Sequence, residues 1–296
     1  MDILYNPLVS VVVITYNSEK HILETLESIY NQTYENIELI ISDDASKDNT
    51  LNLCKNWINN FGYRFKNTSI VTTNINTGIS SNCNRGIKIT KGEWIKLIAG
   101  DDILLINCIR SNINYSLNNK KACFIFSDVD FINEKSKRIE SPKWYDTKYQ
   151  HFFTLNSNLQ HKELVLNGNF VLAPTSFIKQ QSLLNLEGFD ERIPMQEDYA
   201  LWIKATLNHY RLYFNPTKTI AYRIHSNSMT NSYSYKYRES VFLNFKYYRS
   251  RYVFLYNYSL WYYLYISYFT DAKKNKLYKL LKLTSTKFIF NFLTRK

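Results

Sequence analysis

The sequence predicts an α/β fold: a mostly parallel sheet flanked by helices, with a C-terminal helical appendage. Three observations carry this. Short β-branched runs alternate with helical periods through the first hundred residues, which implies parallel pairing with right-handed crossovers. Three of the strands end in polar clusters, Thr15-Tyr16-Asn17, Asp43-Asp44 and Gly100-Asp101-Asp102, where open α/β sheets gather their ligands. Nearly all of the net charge of +12 lies beyond Ser232, which marks that segment as different in kind.

Leu8 to Ile14, LVSVVVI, has the length and β-branching of a buried strand. Ser18 is placed to cap the helix that follows, whose apolar face is Ile22, Leu26 and Ile29. Ile37 to Ile41 is a second strand. Ser46 then caps a helix with Leu51, Cys54, Ile58 and Phe61 inward, stopped by Gly62. Ser69 to Thr73 is a third strand, Ile79 to Ile89 a helix and Trp94 to Ile98 a fourth strand. The second half is less regular: strands at Ala122 to Asp130 and Phe170 to Ile178, a loop at Ser141-Pro142, and a helix opening at Glu197-Asp198 with Tyr199, Trp202, Ile203 and Thr206 at helical spacing. Tyr222-Arg-Ile-His225 closes a strand and enters a polar loop. No internal repeat or low-complexity linker interrupts the chain. The expected division is a first half over 1–105, a second half over 106–231, and a basic, Tyr-rich helical tail over 232–296.

Cys54, Cys83, Cys108 and Cys123 lack zinc or redox spacing, and no cleavable signal precedes the first apolar run, so reduced cysteines and a cytoplasmic location are expected. From Ser232 onward thirteen Lys and Arg face only Glu239 and Asp271, and thirteen tyrosines accompany them. Tyrosine at headgroup level beside basic side chains suits the anionic inner leaflet of a membrane. Tyr252 to Thr270 reaches spanning length without a charge, but seven of its residues are Tyr, which favours an interfacial or protein-packed element. Leu277, Leu280, Leu281, Phe288 and Phe292 recur among lysines as a basic amphipathic helix. A solvated helix packed on the main body, or a nucleic-acid surface, are the competing readings of this composition. A peripheral membrane location without nucleic acid is the expectation.

The apolar strand Trp94 to Ile98 running into Asp101 and Asp102 is expected to expose both acids, a placement suited to a hard divalent cation held against a phosphate, although Asp is equally a helix-capping residue. No GxGxxG or GxxxxGK[ST] is present. With seven glycines in the chain, a bound nucleotide has to be gripped by side chains and strand-end backbone, and its phosphates neutralised by a metal. The pair Glu197-Asp198 opening a helix also complements the helix dipole.

Taken in order, Thr15-Tyr16-Asn17, Ser42-Asp-Asp-Ala-Ser-Lys-Asp-Asn-Thr50, Asn76-Thr-Gly-Ile-Ser with Asn84-Arg-Gly-Ile87, Lys91-Gly-Glu-Trp-Ile with Asp101, and Glu197-Asp198 resemble the glycosyltransferase family 2 enzymes of the GT-A fold, inverting enzymes of the bacterial surface-polysaccharide type. The match runs from residue 8 to about residue 230. The resemblance implies that Thr15, Tyr16, Asn17 and Asp43, with Asp44 beside it, bind nucleobase and ribose. Asn76, Gly78, Asn84 and Gly100 then shape the donor pocket. Asp101 matches the last acid of the family's Asp-x-Asp signature, which implies Mn²⁺ or Mg²⁺ on the diphosphate, and His225 resembles the loop histidine that completes the metal site. Ala99 replaces the first acid of that signature, and Cys83 stands where an Arg often precedes the matched Asn84.

The implied reaction is inverting transfer from a UDP-sugar donor to a hydroxyl of a glycan or lipid-linked glycan in capsule or lipopolysaccharide synthesis. Asp198 is the implied general base, with Glu197 helping to position the acceptor or raise its neighbour's proton affinity. A sugar nucleotidylyltransferase needs a glycine-rich basic loop after the first strand, and Asn17-Ser-Glu-Lys-His is not one. A nucleotide-binding homologue of weak or no activity, acting as a scaffold, is the alternative that Ala99 favours.

Overall fold

The computed structural model describes residues 5–142, 145, 149–169, 171–224, 235–256 and 261. Strand β1 (Val9–Thr15) is the axis of the N-terminal half of the sheet. It pairs in parallel with β2 (Ile37–Asp43) on one side and β4 (Trp94–Ala99) on the other, and β2 pairs in parallel with β3 (Asn67–Thr72). The register sets Thr15 opposite Asp43, Asp43 opposite Thr72 and Ile14 opposite Ala99, so the polar strand ends finish level along one edge. Beyond β4 the sheet continues through β8 (Phe177–Lys179), antiparallel to both neighbours, to β6 (Phe124–Ile132) and then β9 (Leu212–Arg223), which is parallel to β6. Two short strands, β5 (Ile103–Leu104) on β9 and β7 (Arg138–Ile139) on β6, are antiparallel.

Alternation along the strands divides the core into two layers. Val9, Val11 and Val13 of β1 and Ile37, Leu39 and Ile41 of β2 face α1 (Ile22–Tyr30), α2 (Thr50–Phe61) and α4 (Cys108–Asn118). Val12, Ile40, Ile95, Phe124 and Phe126 face α3 (Ile79–Ile87), α6 (Ser157–Asn167) and α8 (Glu197–Leu207), where Trp202 sits edge-on to both phenylalanines. At roughly 25 cal/mol per Å² of apolar surface removed from water, these two layers are the main stabilising term. The short helices α5 (Tyr149–Thr154) and α7 (Gln180–Asn185) join strands, and α9 (Tyr235–Asn244), a π-helical turn over Phe245–Arg249 and α10 (Ser250–Tyr256) follow β9. Phe245 and Val253 enter the α3-side layer, so the start of the appendage packs on the main body.

Several local expectations are corrected. Ser18 does not cap α1: its N–H is held by Thr50 Oγ1 at 2.8 Å and its carbonyl accepts from His21 and Ile22, a turn that delays the helix to Ile22. Ser46 does not cap α2 either, because its hydroxyl is turned back on Asp43. Asp48 instead accepts from the Thr50 N–H at 3.0 Å. The inward face of α2 is Cys54 and Trp57, while Phe61 remains at the surface in edge contact with Tyr30. Gly62 stays right-handed (φ −61°) and leads into a short 3₁₀ turn instead of a left-handed stop. The strand expected over 170–178 shrinks to β8, since Pro174 lies in a 3₁₀ turn whose carbonyls at Pro174 and Ser176 accept from the buried Lys96 ammonium at 2.5 and 3.1 Å. All four cysteines are free thiols. The stretch after Tyr256, including the amphipathic helix expected near Leu277 to Phe292, lies outside the described residues apart from Trp261.

The turn that launches β4 has no room for a side chain at Gly92. A Cβ there would lie 2.6 Å from the Ser10 backbone nitrogen and 2.8 Å from the Leu8 carbonyl oxygen, and the Gly92 N–H donates to Ser10 Oγ and to the buried Glu38 carboxylate. Gly92→Ala is therefore expected to lower unfolding free energy by about 1–3 kcal/mol, the usual cost of overpacking. Urea titration of both proteins measures the difference.

Candidate active site

The site is built on the carboxyl edge of β1, β2 and β4. Asp43 and Asp44 are both buried, at 1% and 2% exposure, and their carboxylates do different work. Asp44 accepts from the Thr77 N–H and hydroxyl, the Gly78 N–H at 2.8 Å and Arg85 Nη2 at 3.1 Å. Those donors hold the carboxyl below its ordinary range despite burial, which alone would raise it. Asp43 accepts from Ser46 N–H at 3.0 Å, Ser46 Oγ at 2.5 Å and, more weakly, Thr72 Oγ1 at 3.3 Å. A carboxylate offers about four lone-pair positions; Asp44 is filled, and Asp43 keeps room for one more donor.

The end of β1 is fastened to the end of β2. Asn17, in the left-handed region at φ 52°, receives the Lys47 N–H on its side-chain oxygen, and its own N–H donates to Ser46 Oγ. Tyr16 stands beside it with 46% of its surface exposed. Gly100 is a packing glycine: a Cβ would meet Thr15 Oγ1 at 3.0 Å and Ile22 Cδ1 and Ser18 Oγ at 3.2 Å. Gly78 has φ 89° and opens α3, with Asn76 Oδ1 accepting its N–H at 3.2 Å.

The acid turn after β4 differs from expectation. Asp101 is partly exposed, but Asp102 is buried, with Oδ1 accepting the Arg223 N–H at 2.8 Å. Burial, and then the neighbouring Asp101, push the Asp102 carboxyl well up. Only Asp101 is thus placed as a surface ligand; Asp102 is a structural acid joining β4 to β9. Asp101 also bears on the half-buried His21 ring, where burial and Arg223 depress the imidazole and Asp101 opposes them.

The second pair of acids begins α8. Glu197 is buried, and its Oε2 has no hydrogen-bond partner; burial, then Asp198, push its carboxyl up to about 8. Asp198 is raised in the same direction, again by burial, while its Oδ2 accepts from Asn169 Nδ2 at 2.9 Å and its Oδ1 from the Tyr199 N–H. The turn before the pair is held by α3. Asn84 donates to the Phe189 carbonyl and Glu191 carboxylate and accepts the Phe189 N–H, each at 2.9 Å; Ser81 donates to Glu191, and Ser80 to the Ile193 carbonyl. Beneath them the Cys83 thiol is pushed up by burial first, and further by Glu197, Asp198 and Asp44.

Thr15, Tyr16, Asn17, Asp43, Asp44, Asn76, Gly78, Gly100 and Asp101 all lie on or beside the strand-end edge, and α3 joins them to Glu197 and Asp198. Asn84 is committed to the Gly188–Glu191 turn, so it shapes the site through packing. His225 lies outside the described residues, and among the described residues no group of three His, Cys, Asp or Glu could hold a metal. A single partly exposed carboxylate still fits Mg²⁺ or Mn²⁺, which one or two carboxylates hold together with substrate phosphates. Arg85, Asn169 and Arg223 were missed by sequence reading; an unpaired basic residue inside a motif or at a strand end was the available signal. A cavity of about 570 Å³ lies elsewhere, lined by Phe242, Phe245, Lys246, Arg251, Phe254 and Trp261 of the C-terminal helices among others.

This sheet, with acids at two strand ends and a third acidic pair at a helix start, has the arrangement of the GT-A fold. The glycosyl transferase family 2 model matches residues 10–180, and the chain belongs to that family. A glycosyltransferase of Rickettsia typhi is 30% identical over 230 residues, covering 77% of this chain and 67% of its own, and one of Haemophilus influenzae is 27% identical over 242 residues, covering 79% and 71%. Among solved structures, Staphylococcus aureus TarS 1–349 in complex with UDP-GlcNAc aligns with a TM-score of 0.60 at 19% identity, over 80% of this chain and 65% of that one. A Pyrobaculum calidifontis mannosyltransferase in complex with GDP-Man and Mn²⁺ aligns at 0.59 and 18%, over 76% and 59%. The present chain therefore spans under two thirds of those two structures, which it resembles in fold.

A carboxyl that holds its proton more tightly folded than unfolded takes stability away as pH rises from its ordinary value to its raised one. For Glu197 that window runs from 4.5 to about 8. Glu197→Gln, which carries no ionisable proton, is expected to match the parent's melting temperature near pH 5 and to exceed it above pH 8. Thermal unfolding across that range measures this, and a parallel pH dependence in both proteins would contradict the assignment.

Proposed function

We propose that the protein transfers a sugar from a UDP-sugar to a hydroxyl of a glycan or lipid-linked glycan in surface polysaccharide synthesis, capsule or lipopolysaccharide, with inversion at the anomeric carbon. The observation that carries the reading is the convergence on α3, which braces the Asp43-Asp44 strand end at its start and the Glu197-Asp198 turn along its length. The TarS likeness supports UDP as the nucleotide. In this reading residues 1–105 hold the donor and 106–231 the acceptor.

Tyr16 offers an exposed ring to the base, Thr15 and Asn17 flank the ribose, and Asp43 gives its remaining lone pair to the imide N–H of uracil. Asp44, Asn76, Gly78, Asn84 and Gly100 keep the pocket's shape. Asp198 takes the acceptor proton: a half-buried carboxylate with raised proton affinity is matched to that task near neutral pH. Glu197, held neutral by burial around pH 7, adds no second charge and leaves Asp198 as the base. One base on the face away from the leaving group gives a single displacement. A bound Mn²⁺ or Mg²⁺, for which Asp101 and His225 are the proposed ligands, supplies Lewis-acid stabilisation to the departing diphosphate.

The tail over 232–296 is proposed to hold the enzyme on the inner face of the cytoplasmic membrane. Supporting this, Tyr247, Phe254 and Leu255 are exposed beside Lys246 and Arg251, a mixture of apolar and basic groups suited to an anionic interface. No helix among the described residues is long and apolar enough to cross a membrane.

Asp198→Asn is expected to lower turnover by about 10²–10⁴-fold, the range for lost proton transfer, while UDP-sugar binding measured by calorimetry persists; near-normal turnover removes Asp198 from the role. Asp101→Ala is expected to abolish the gain in UDP affinity that Mn²⁺ confers and to leave binding in chelator unchanged. Calorimetry with and without Mn²⁺ reads both quantities, and a surviving Mn²⁺ effect would exclude Asp101 as a ligand.

A further inference from the structure

Arg223, the last residue of β9, is fully buried, and its side chain reaches three separate segments. Nε donates to the Asp101 carbonyl at 2.6 Å, Nη1 to the Asn133 carbonyl at 3.1 Å and Ser136 Oγ at 2.9 Å, and Nη2 to the Glu24 carboxylate at 2.5 Å, while the backbone N–H is the partner of Asp102 Oδ1. Ser136 Oγ in turn donates to Glu24, closing a small ring around the guanidinium. The peptide between Asp101 and Asp102 is therefore gripped on both sides by one residue. Neighbouring strands add to the grip, because β5, immediately after the acids, pairs with β9 at Ala221 and Ile220. An interior guanidinium is tolerated only when its donors are met and its charge is paired, and both conditions hold only if the acid turn, α1 and the Asn133–Ser136 turn keep these positions.

We infer that Arg223 is the positioning residue of the donor site: it fixes the backbone of Asp101, and so the direction of the carboxylate proposed to hold the metal ion, without touching the nucleotide. The inference rests on the reading of Asp101 as metal ligand. A lysine retains the charge but cannot meet three segments with a planar fork.

The test compares UDP affinity in Mn²⁺ with UDP affinity in chelator for the full chain, its Arg223→Lys variant and its Glu24→Gln variant, with thermal unfolding run alongside. Outer-shell partners of metal ligands govern affinity by about 10–100-fold, so in Arg223→Lys the Mn²⁺-dependent gain is expected to fall by about tenfold or more while affinity in chelator holds. Glu24→Gln, altered at a half-exposed side chain, is expected to lose part of the gain and still fold. A full Mn²⁺ gain in folded Arg223→Lys overturns the inference; should that variant fail to fold, Glu24→Gln decides it, a reduced gain supporting and an unchanged gain overturning. A parent protein with no Mn²⁺ gain refutes the Asp101 reading and the inference with it, whereas a parental gain that survives in the variants refutes the inference alone.

Discussion

Helix α3 is the constraint on which the arrangement of the site depends. Its start hangs from Asp44 through Thr77 and Gly78, and Arg85, about two turns further on, returns to the same carboxylate. From its other side Asn84 meets both polar atoms of Phe189, and Gly188 (φ 65°) accommodates that approach, since a Cβ there would lie 2.5 Å from Asn84 Oδ1. A left-handed glycine and a two-way amide bond fix the direction in which the chain enters α8. One helix thus ties the strand-end half of the molecule to the acid-bearing half, and the spacing between Asp43-Asp44 and Glu197-Asp198 follows from packing on it.

Burial sorts the acids by task. Asp44 is surrounded by donors and Asp102 takes the Arg223 N–H, and both hold loops in place. Glu197 is buried with an unpartnered oxygen, a costly placement for an ionised carboxylate and a cheaper one for a neutral acid. Its neighbour Asp198 keeps an accessible side and a hydrogen bond from Asn169. In the proposed reaction, two adjacent carboxyls with different surroundings serve as proton holder and proton acceptor, which is how a site separates the roles of chemically similar groups.

The sheet was largely legible because β-branched runs of strand length leave little freedom in the first half: β1, β2 and β4 fall where LVSVVVI, Ile37 to Ile41 and Trp94 to Ile98 put them. Caps were less legible. Ser18 and Ser46 have the right chemistry for capping, but the Ser18 backbone N–H is held by Thr50, a tertiary partner that local sequence does not announce, and the Ser46 hydroxyl folds back locally on Asp43. The 170–178 segment read as strand by composition, yet Pro174 and the carbonyls facing Lys96 make most of it a turn. In the site, the strand-end clusters and Glu197-Asp198 stood out as motifs. Asp102 read as an exposed twin of Asp101 because adjacency in sequence hides that successive side chains point apart, and the Asp102 carboxylate found the Arg223 N–H 121 residues away.

The appendage is bound to the catalytic body at the same turn that α3 holds. Tyr248, within the π-helical turn, donates to Asp190 at 2.6 Å, and Asp190 also receives Arg192, which together keep its carboxyl far below the ordinary range. Arg249 donates to the Val165 carbonyl at 2.7 Å and lies over the Tyr199 ring, next to Asp198. A π-turn widens the helix by one residue per turn and redirects side chains that a regular helix would stagger; here it lets Tyr248 and Arg249 both face the body. The chain leading to the basic tail therefore touches the residues that flank the general base proposed above. A displacement of the π-helical turn reaches Asp190 through one hydrogen bond, so in the proposed function surface attachment by the tail and the geometry of the acceptor side are coupled.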